Sequence, residues 1–298
     1  AGTPSLACTE PEPNGARVNI GRYGNTAQAS KTPTNSALTL ITFNDGGRAS
    51  GNNVPIQWNA RGQITNGTIS IYYSADGGGT WSLLTNGLAA NSGVWNWDST
   101  ASEQSVQAKL KIEGSDGSST QSDKVFSVRN APFYFYVNDG STIGDVYCTA
   151  IGQGANSGLS SNAPMADLNA LLAKYDLESG DVVYIDTGVY ATGVDPWRIT
   201  QADSAGALNV PPVVFQGSTS SLMGGTVLQR NYNSVGLQAD YVIGVVLRNI
   251  VVSNTTRTAF ALNQARDVAL EWCAVGGGDV GVRLNSGNNL RVEHCVVV

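Results

Sequence analysis

Towards the C-terminal end of the chain, short apolar runs recur at a regular interval. Leu247–Val252, Leu270–Val275 and Val292–Val297 align residue by residue, with starts 23 and then 22 residues apart. A second strip, Phe260–Asn263 and Val282–Asn285, repeats in phase, again 22 apart. Gly and Asn punctuate the runs. Each run is too short for a helix and rich in Val, Leu and Ile, so each reads as a strand. Strands recurring at this interval mark a solenoid, in which each unit buries its apolar face only against its neighbours. Rungs stacked in this way predict a parallel β-helix.

Upstream, residues 35–130 alternate with period two, most clearly in Ile69–Tyr73 and Val106–Ile112. The pattern predicts seven strands: Leu38–Phe43, Val54–Trp58, Thr68–Ser74, Thr80–Leu84, Gly93–Trp97, Val106–Glu113 and Lys124–Val128. Regular turn signals between them predict an antiparallel sandwich of immunoglobulin-like or fibronectin-III-like type, with Trp58 between the sheets. Ser74–Trp81 fits the Asp-box pattern of sialidase propellers. A propeller needs several copies and the chain has one. The segment therefore reads as a hairpin turn, with Asp76 accepting backbone N–H bonds and Trp81 packing behind it.

Between the two patterned regions, Leu168, Leu171, Leu172 and Tyr175 fall at helical spacing and predict an amphipathic helix. Pro164 suits its first position. Gly180–Tyr190 then alternates like a strand. The order of Phe133–Asp139, the helix, and Gly180–Tyr190 as Gly-Asp-x-Val-x-Ile-x-x-Gly-x-Tyr resembles the opening of pectate-lyase-like right-handed β-helices. This resemblance covers most of residues 134–298 and implies that the helix plugs the first rung, as the terminal units of solenoids must. Ala16–Gly24 resembles the closing motif of right-handed β-helices in large bacterial secreted and surface proteins. Ala16 stands there for the usual Gly, and Arg22 for the usual Ala. That match implies a further β-helix ahead of residue 1.

The expected fold class is all-β: an immunoglobulin-like β-sandwich followed by a right-handed parallel β-helix with an N-terminal capping helix. The expected domains are 1–34, the close of a preceding β-helix or an N-terminal arm; 35–130, the sandwich; and 131–298, a β-helix truncated at its C-terminal end. The chain has no initiator Met or signal peptide and stops inside an apolar strand. A β-helix cut there leaves an open edge, so a longer polypeptide is expected.

Composition narrows the partners. Charged residues are 13% of the chain and the net charge is −6, without the basic face that nucleic acid needs. The 17 Lys and Arg are scattered singly, so no polybasic membrane patch forms. No apolar run is long enough to insert in a bilayer. The 35 glycines suit many strands joined by tight turns.

The rung register puts Arg248, Glu271 and Glu293 in one outward column. Stacked strands lie about 4.8 Å apart, so two stacked carboxylates raise a pKa or draw a cation, with Ca²⁺ suited to their oxygens. With Arg248 next in the column and solvent above it, a solvated charge ladder is the plainer reading. The pectate-lyase-like resemblance implies polysaccharide lyases and hydrolases, which use Ca²⁺-binding carboxylates with an Arg or Lys base, or clustered Asp. Asp139, Asp145, Asp181, Asp186 and Asp195 lie near the cap and read as turn and helix-end residues. His294, the single histidine, sits at a bend without partners for a nucleophilic triad or a metal site. Cys273 and Cys295 share a slot in successive rungs, within Cα range of a disulfide. Parallel side chains strain such a bridge, so they read as buried thiols acting as small apolar residues. Cys8 and Cys148 have no obvious partners. Trp95, Trp97, Tyr72 and Tyr73 are aromatics that can stack on sugars, two of them expected in the sandwich core.

No catalytic, cofactor-binding or metal residue is assigned, and Ca²⁺ is the one cofactor entertained. The expected function is a structural or adhesive module of a large extracellular or cell-surface protein. Its partners would be neighbouring copies or segments of the same polypeptide, in a linear array or filament, without lyase or glycosidase activity of its own. The alternative is a carbohydrate-active β-helix, lyase-like or hydrolase-like, with an accessory sandwich, or a glycan-binding module whose partner is polysaccharide.

Overall fold

The computed structural model describes residues 26–27, 35–191, 195–218, 225–231 and 234–297. The expected closing motif at Ala16–Gly24, and Cys8, lie outside these residues. The described chain is all-β apart from one α-helix and a few 3-10 turns, and it divides into two compact units, Ala1–Asn130 and Ala131–Val298. Among the described residues, no helix is long and apolar enough to cross a membrane.

The first unit carries β1 (Ala37–Leu40), β2 (Arg48–Ala49), β3 (Val54–Arg61), β4 (Thr68–Ser74), β5 (Ser82–Ala89), β6 (Val94–Trp97), β7 (Ser105–Gly114), β8 (Ser119–Gln121) and β9 (Phe126–Val128). They form two sheets, β1-β3-β6 and β2-β9-β7-β4-β5, with β8 on β7. Period-two alternation turns Val54, Ile56 and Trp58 of one sheet, and Ile69, Ile71, Leu110 and Ile112 of the other, into one shared core. Trp58 is buried there as expected, and its Nε1 donates to Ala90 O at 2.8 Å.

Two expectations need correction. The described strands number nine, because β2 and β8 are too short to show alternation. The unit is also not wholly antiparallel, since β2 runs parallel to β9. The Gly46–Gly47 turn, with φ near 103° and 104°, brings the chain alongside β9, where Ser127 N donates to Gly47 O and Arg129 N to Ala49 O. The first strand stops at Leu40, short of Phe43, which adopts a left-handed conformation and stacks on Phe126 at 4.6 Å.

The second unit contains β10 (Tyr134–Val137), α1 (Leu168–Lys174), β11 (Val182–Ile185), β12 (Gly188–Ala191), β13 (Trp197–Ile199), β14 (Val213–Gly217), β15 (Thr226–Gln229) and β16 (Val235–Asp240). It continues through β17 (Ile243–Arg248), β18 (Ile250–Ser253), β19 (Thr258–Asn263), β20 (Arg266–Glu271), β21 (Ala274–Gly276), β22 (Val280–Asn285), β23 (Asn288–Glu293) and β24 (Val296–Val297). The chain visits three parallel sheets in turn: β10-β11-β14-β17-β20-β23, β12-β15-β18-β21-β24 and β13-β16-β19-β22. This cyclic order fits a parallel β-helix. Leu247, Leu270 and Val292 stack in neighbouring strands, as do Phe260 and Val282.

Left-handed corner residues set the interval. Tyr241, Gln264 and Ser286 form one column of positive φ; Gly244, Asp267 and Asn289 a second; Asn249, Trp272 and His294 a third. The step from 23 to 22 arises in one corner, where Thr255, Thr256 and Arg257 precede β19 but only Gly278 and Asp279 precede β22. The sheet registers are unaffected. Asn263 and Asn285, which end β19 and β22, stack in register, and the corner residues after them are Gln264 and Ser286. The Asn263 amide donates to Asp240 Oδ1 at 2.7 Å, so this column carries an acid as well as amides.

The helix begins at Leu168, four residues after Pro164. Asp167 caps it by accepting from Ala170 N, and Met165 is held in an extended bridge to Val137. Leu168, Leu171 and Tyr175 are buried, and Tyr175 packs on Phe135 with ring centroids 5.4 Å apart. The segment ahead of the helix covers the outer edge of β10: Tyr136 N donates to Gly158 O and Met165 N to Tyr136 O.

Candidate functional site

Alternation along the six-stranded sheet points Val183, Ile185, Phe215, Leu247 and Leu270 inward. The residues between them form an outward column, Tyr136, Tyr184, Gln216, Arg248, Glu271 and Glu293, in that register. The predicted stack of Arg248, Glu271 and Glu293 is therefore present. Sequence reasoning missed Arg291, which lies two residues before Glu293 on the same outward face.

Glu271 is gripped from both sides. Arg248 Nη2 lies 2.6 Å and Nε 2.8 Å from its Oε2, and Arg291 Nη2 lies 2.7 Å from its Oε1. Arg291 Nε also reaches Glu293 Oε1 at 3.2 Å, so the two acids share a guanidinium. Burial opposes ionisation of Glu271, but hydrogen bonds and charge from Arg248 and Arg291 outweigh it and hold its carboxyl below the usual range. Such a carboxylate is a weak proton acceptor at neutral pH and a poor candidate for a general base.

Above this network the column turns aromatic. Tyr184 meets Tyr147 at 4.6 Å, Tyr136 at 5.5 Å and Tyr134 at 6.2 Å between ring centroids. Gln216 joins the two regions by accepting from Arg248 Nη1 at 3.3 Å. Beside the column a cavity of about 320 Å³ has Val246 and Ala269 on its floor and Asn209, Asp267, Asn289 and Arg291 at its rim. Asn289 Nδ2 donates to the Asp267 carboxylate across that rim.

The acids near the helix serve the backbone. Asp186 is fully buried and accepts from the N–H groups of Val146, Tyr147, Cys148 and Thr187. Asp181 accepts from Phe133 N and Glu178 N, and Asp139 from Ser141 N and Val189 N. Asp195 offers its carbonyl to Arg230 Nη1 at 2.7 Å. Asp145 accepts from Asn138 Nδ2 at 2.7 Å, and burial pushes its carboxyl upward.

His294 is exposed and stacks on Trp272 at 4.2 Å, with the rings 6° from parallel. Both occupy left-handed corner positions. Cys148, Cys273 and Cys295 are free thiols, the first two buried and Cys295 half-buried.

In the first unit, Asp76 behaves as its motif predicts: Thr80 N donates to Oδ1 at 2.9 Å and the Thr80 hydroxyl to Oδ2 at 2.8 Å. These bonds, with the Ser74 hydroxyl, hold its carboxyl far below the usual range. Lys111 lies over both Tyr72 and Trp81, about 4.8 and 4.9 Å from their centroids. Trp97 and Tyr73 fill the core, and Trp95 and Tyr72 are half-buried.

Compared with protein-family models, curated proteins and solved structures, the chain matches none.

Proposed function

We propose that this chain is a structural or adhesive module of an extracellular or cell-surface protein. In this reading the first unit is an immunoglobulin-like sandwich. The second is a right-handed, pectate-lyase-like β-helix whose α1 caps the opening rung. The observation that carries the reading is the in-register stacking of three parallel sheets around one apolar interior. A solenoid of this kind gains stability from nearest-neighbour contacts and resists bending along its stack. The most prominent charged cluster, around Glu271, is neutralised internally by Arg248 and Arg291, which suits a stable surface better than proton transfer.

The partners in this reading are neighbouring copies or segments of the same polypeptide, in a linear array. Light scattering across a concentration series, with electron microscopy, tests it. Elongated, concentration-dependent association supports it, and a compact monomer at every concentration overturns it.

A second reading, a glycan-binding module, is favoured by one observation. The tyrosine cluster around Tyr184 lies on the same outward face as a polar-rimmed cavity. Aromatic faces beside amides and charged groups suit sugar rings. Saturable binding of an acidic or neutral polysaccharide, lost in Tyr184→Ala, would favour this reading. Release of unsaturated products or reducing ends would favour the enzyme alternative.

A further inference from the structure

Two cysteines meet where neighbouring rungs stack. Ala274 pairs with Val296, and Val296 N donates to Cys273 O at 3.0 Å, so Cys273 and Cys295 stand opposite each other one residue earlier. Adjacent strands lie about 4.8 Å apart, inside the Cα range that a disulfide spans. Strain from parallel side chains is the natural objection. Both residues, however, precede their strands and follow left-handed Trp272 and His294, so they sit at the corner and outside the pleated ladder. Cys295 Sγ lies 3.5 Å from Leu270 O, on the rung that carries Cys273. It thus leans towards its counterpart, while Cys273 Sγ lies 3.4 Å from Leu247 O.

We propose that Cys273 and Cys295 form a dithiol site that low-molecular-weight disulfides oxidise to a bridge between neighbouring rungs. Cys295 is the attacking group, because it is half-buried while Cys273 is buried. The neighbouring Cys273 thiol favours the Cys295 thiolate, whose pKa is lowered to about 6, while the same interaction and burial keep the proton on Cys273. The Cys295 thiolate attacks one sulfur of the reagent disulfide and expels the other half as a thiolate. Cys273 then gives up its proton to that thiolate or to solvent and attacks the Cys295 sulfur, expelling the second half. The reagent disulfide is reduced to two thiols, and the protein dithiol loses two protons and two electrons. Cys148 is a poor competitor, because burial and the nearby Asp186 carboxylate hold its proton.

Oxidised glutathione added to the full chain tests the site, read by mass spectrometry of non-reduced peptides. The expected product is an intramolecular Cys273–Cys295 bridge, with Cys148 modified at least about tenfold more slowly. Cys273→Ser should stop at a glutathione adduct on Cys295, and Cys295→Ser should leave Cys273 unmodified. A purely structural role for the pair would not produce that split, and circular dichroism of both variants establishes that they are folded. A lasting adduct on Cys295 in the unsubstituted chain would overturn the proposal. Linkage of either residue to Cys8 or Cys148, or no preference for Cys295, would do so equally.

Discussion

Residue chemistry on the outward column is dominated by Glu271. Its folded pKa is depressed, so the stability it confers is present above its unfolded pKa of about 4.3 and is lost as pH falls through the lower folded value. Glu271→Gln should cost about 1 kcal/mol at neutral pH, a modest figure because both arginines are partly exposed to solvent. Urea melts across pH should show the two proteins converging below the unfolded pKa. A constant gap at all pH would mean that packing, and not charge, is lost. The inward column offers a matched pair. Leu270 is fully buried, whereas Val292 in the next rung is 47% exposed. Leu270→Ala should cost about 3 kcal/mol, and Val292→Ala well under 1 kcal/mol, in the same melts. Equal costs would show that Val292 is buried in solution.

At the scale of elements, glycine marks where β16 and its neighbours close up. A Cβ on Gly236 would meet the Val252 side chain and lie 2.6 Å from Ala259 O. Backbone cannot yield there cheaply, so Gly236→Ala should cost about 2 kcal/mol by thermal or urea denaturation. A neutral substitution would mean that the sheets stand further apart. How far the elements could be read from sequence follows from their spacing. The last rungs were legible because Tyr241, Gln264 and Ser286 turn corners at nearly equal intervals, which keeps the apolar strips in phase. The earlier rungs were not. Val214 pairs with Val246, 32 residues on, and Tyr134 with Val182, 48 residues on, because long excursions interrupt the period. Several corners were hidden, since Tyr241, Gln264, Trp272 and Ser286 are not residues that favour positive φ. In the first unit β4 and β7 were read nearly end to end, whereas β5, expected at Thr80–Leu84, runs from Ser82 to Ala89 without a clean alternation of burial, and the short β2 and β8 carry no period to detect. At the candidate site, Arg248, Glu271 and Glu293 followed from register alone. Arg291 and the Tyr184 cluster required knowing which way each strand faces and what its neighbouring rung carries.

On the scale of the whole second unit, protection should vary along the stack, because a solenoid opens from its least supported rung. The β14, β17 and β20 strands lie between neighbours on both sides and bury Phe215, Leu247 and Leu270 completely. Among the described residues β22, β23 and β24 are edge strands, and Leu284, Val292 and Val297 are 51%, 47% and 71% exposed there. Amide hydrogen exchange should therefore be slowest across Val245–Leu247 and fastest across Leu290–Val297. Equal exchange in the two segments would show that these strands open together and not one after another.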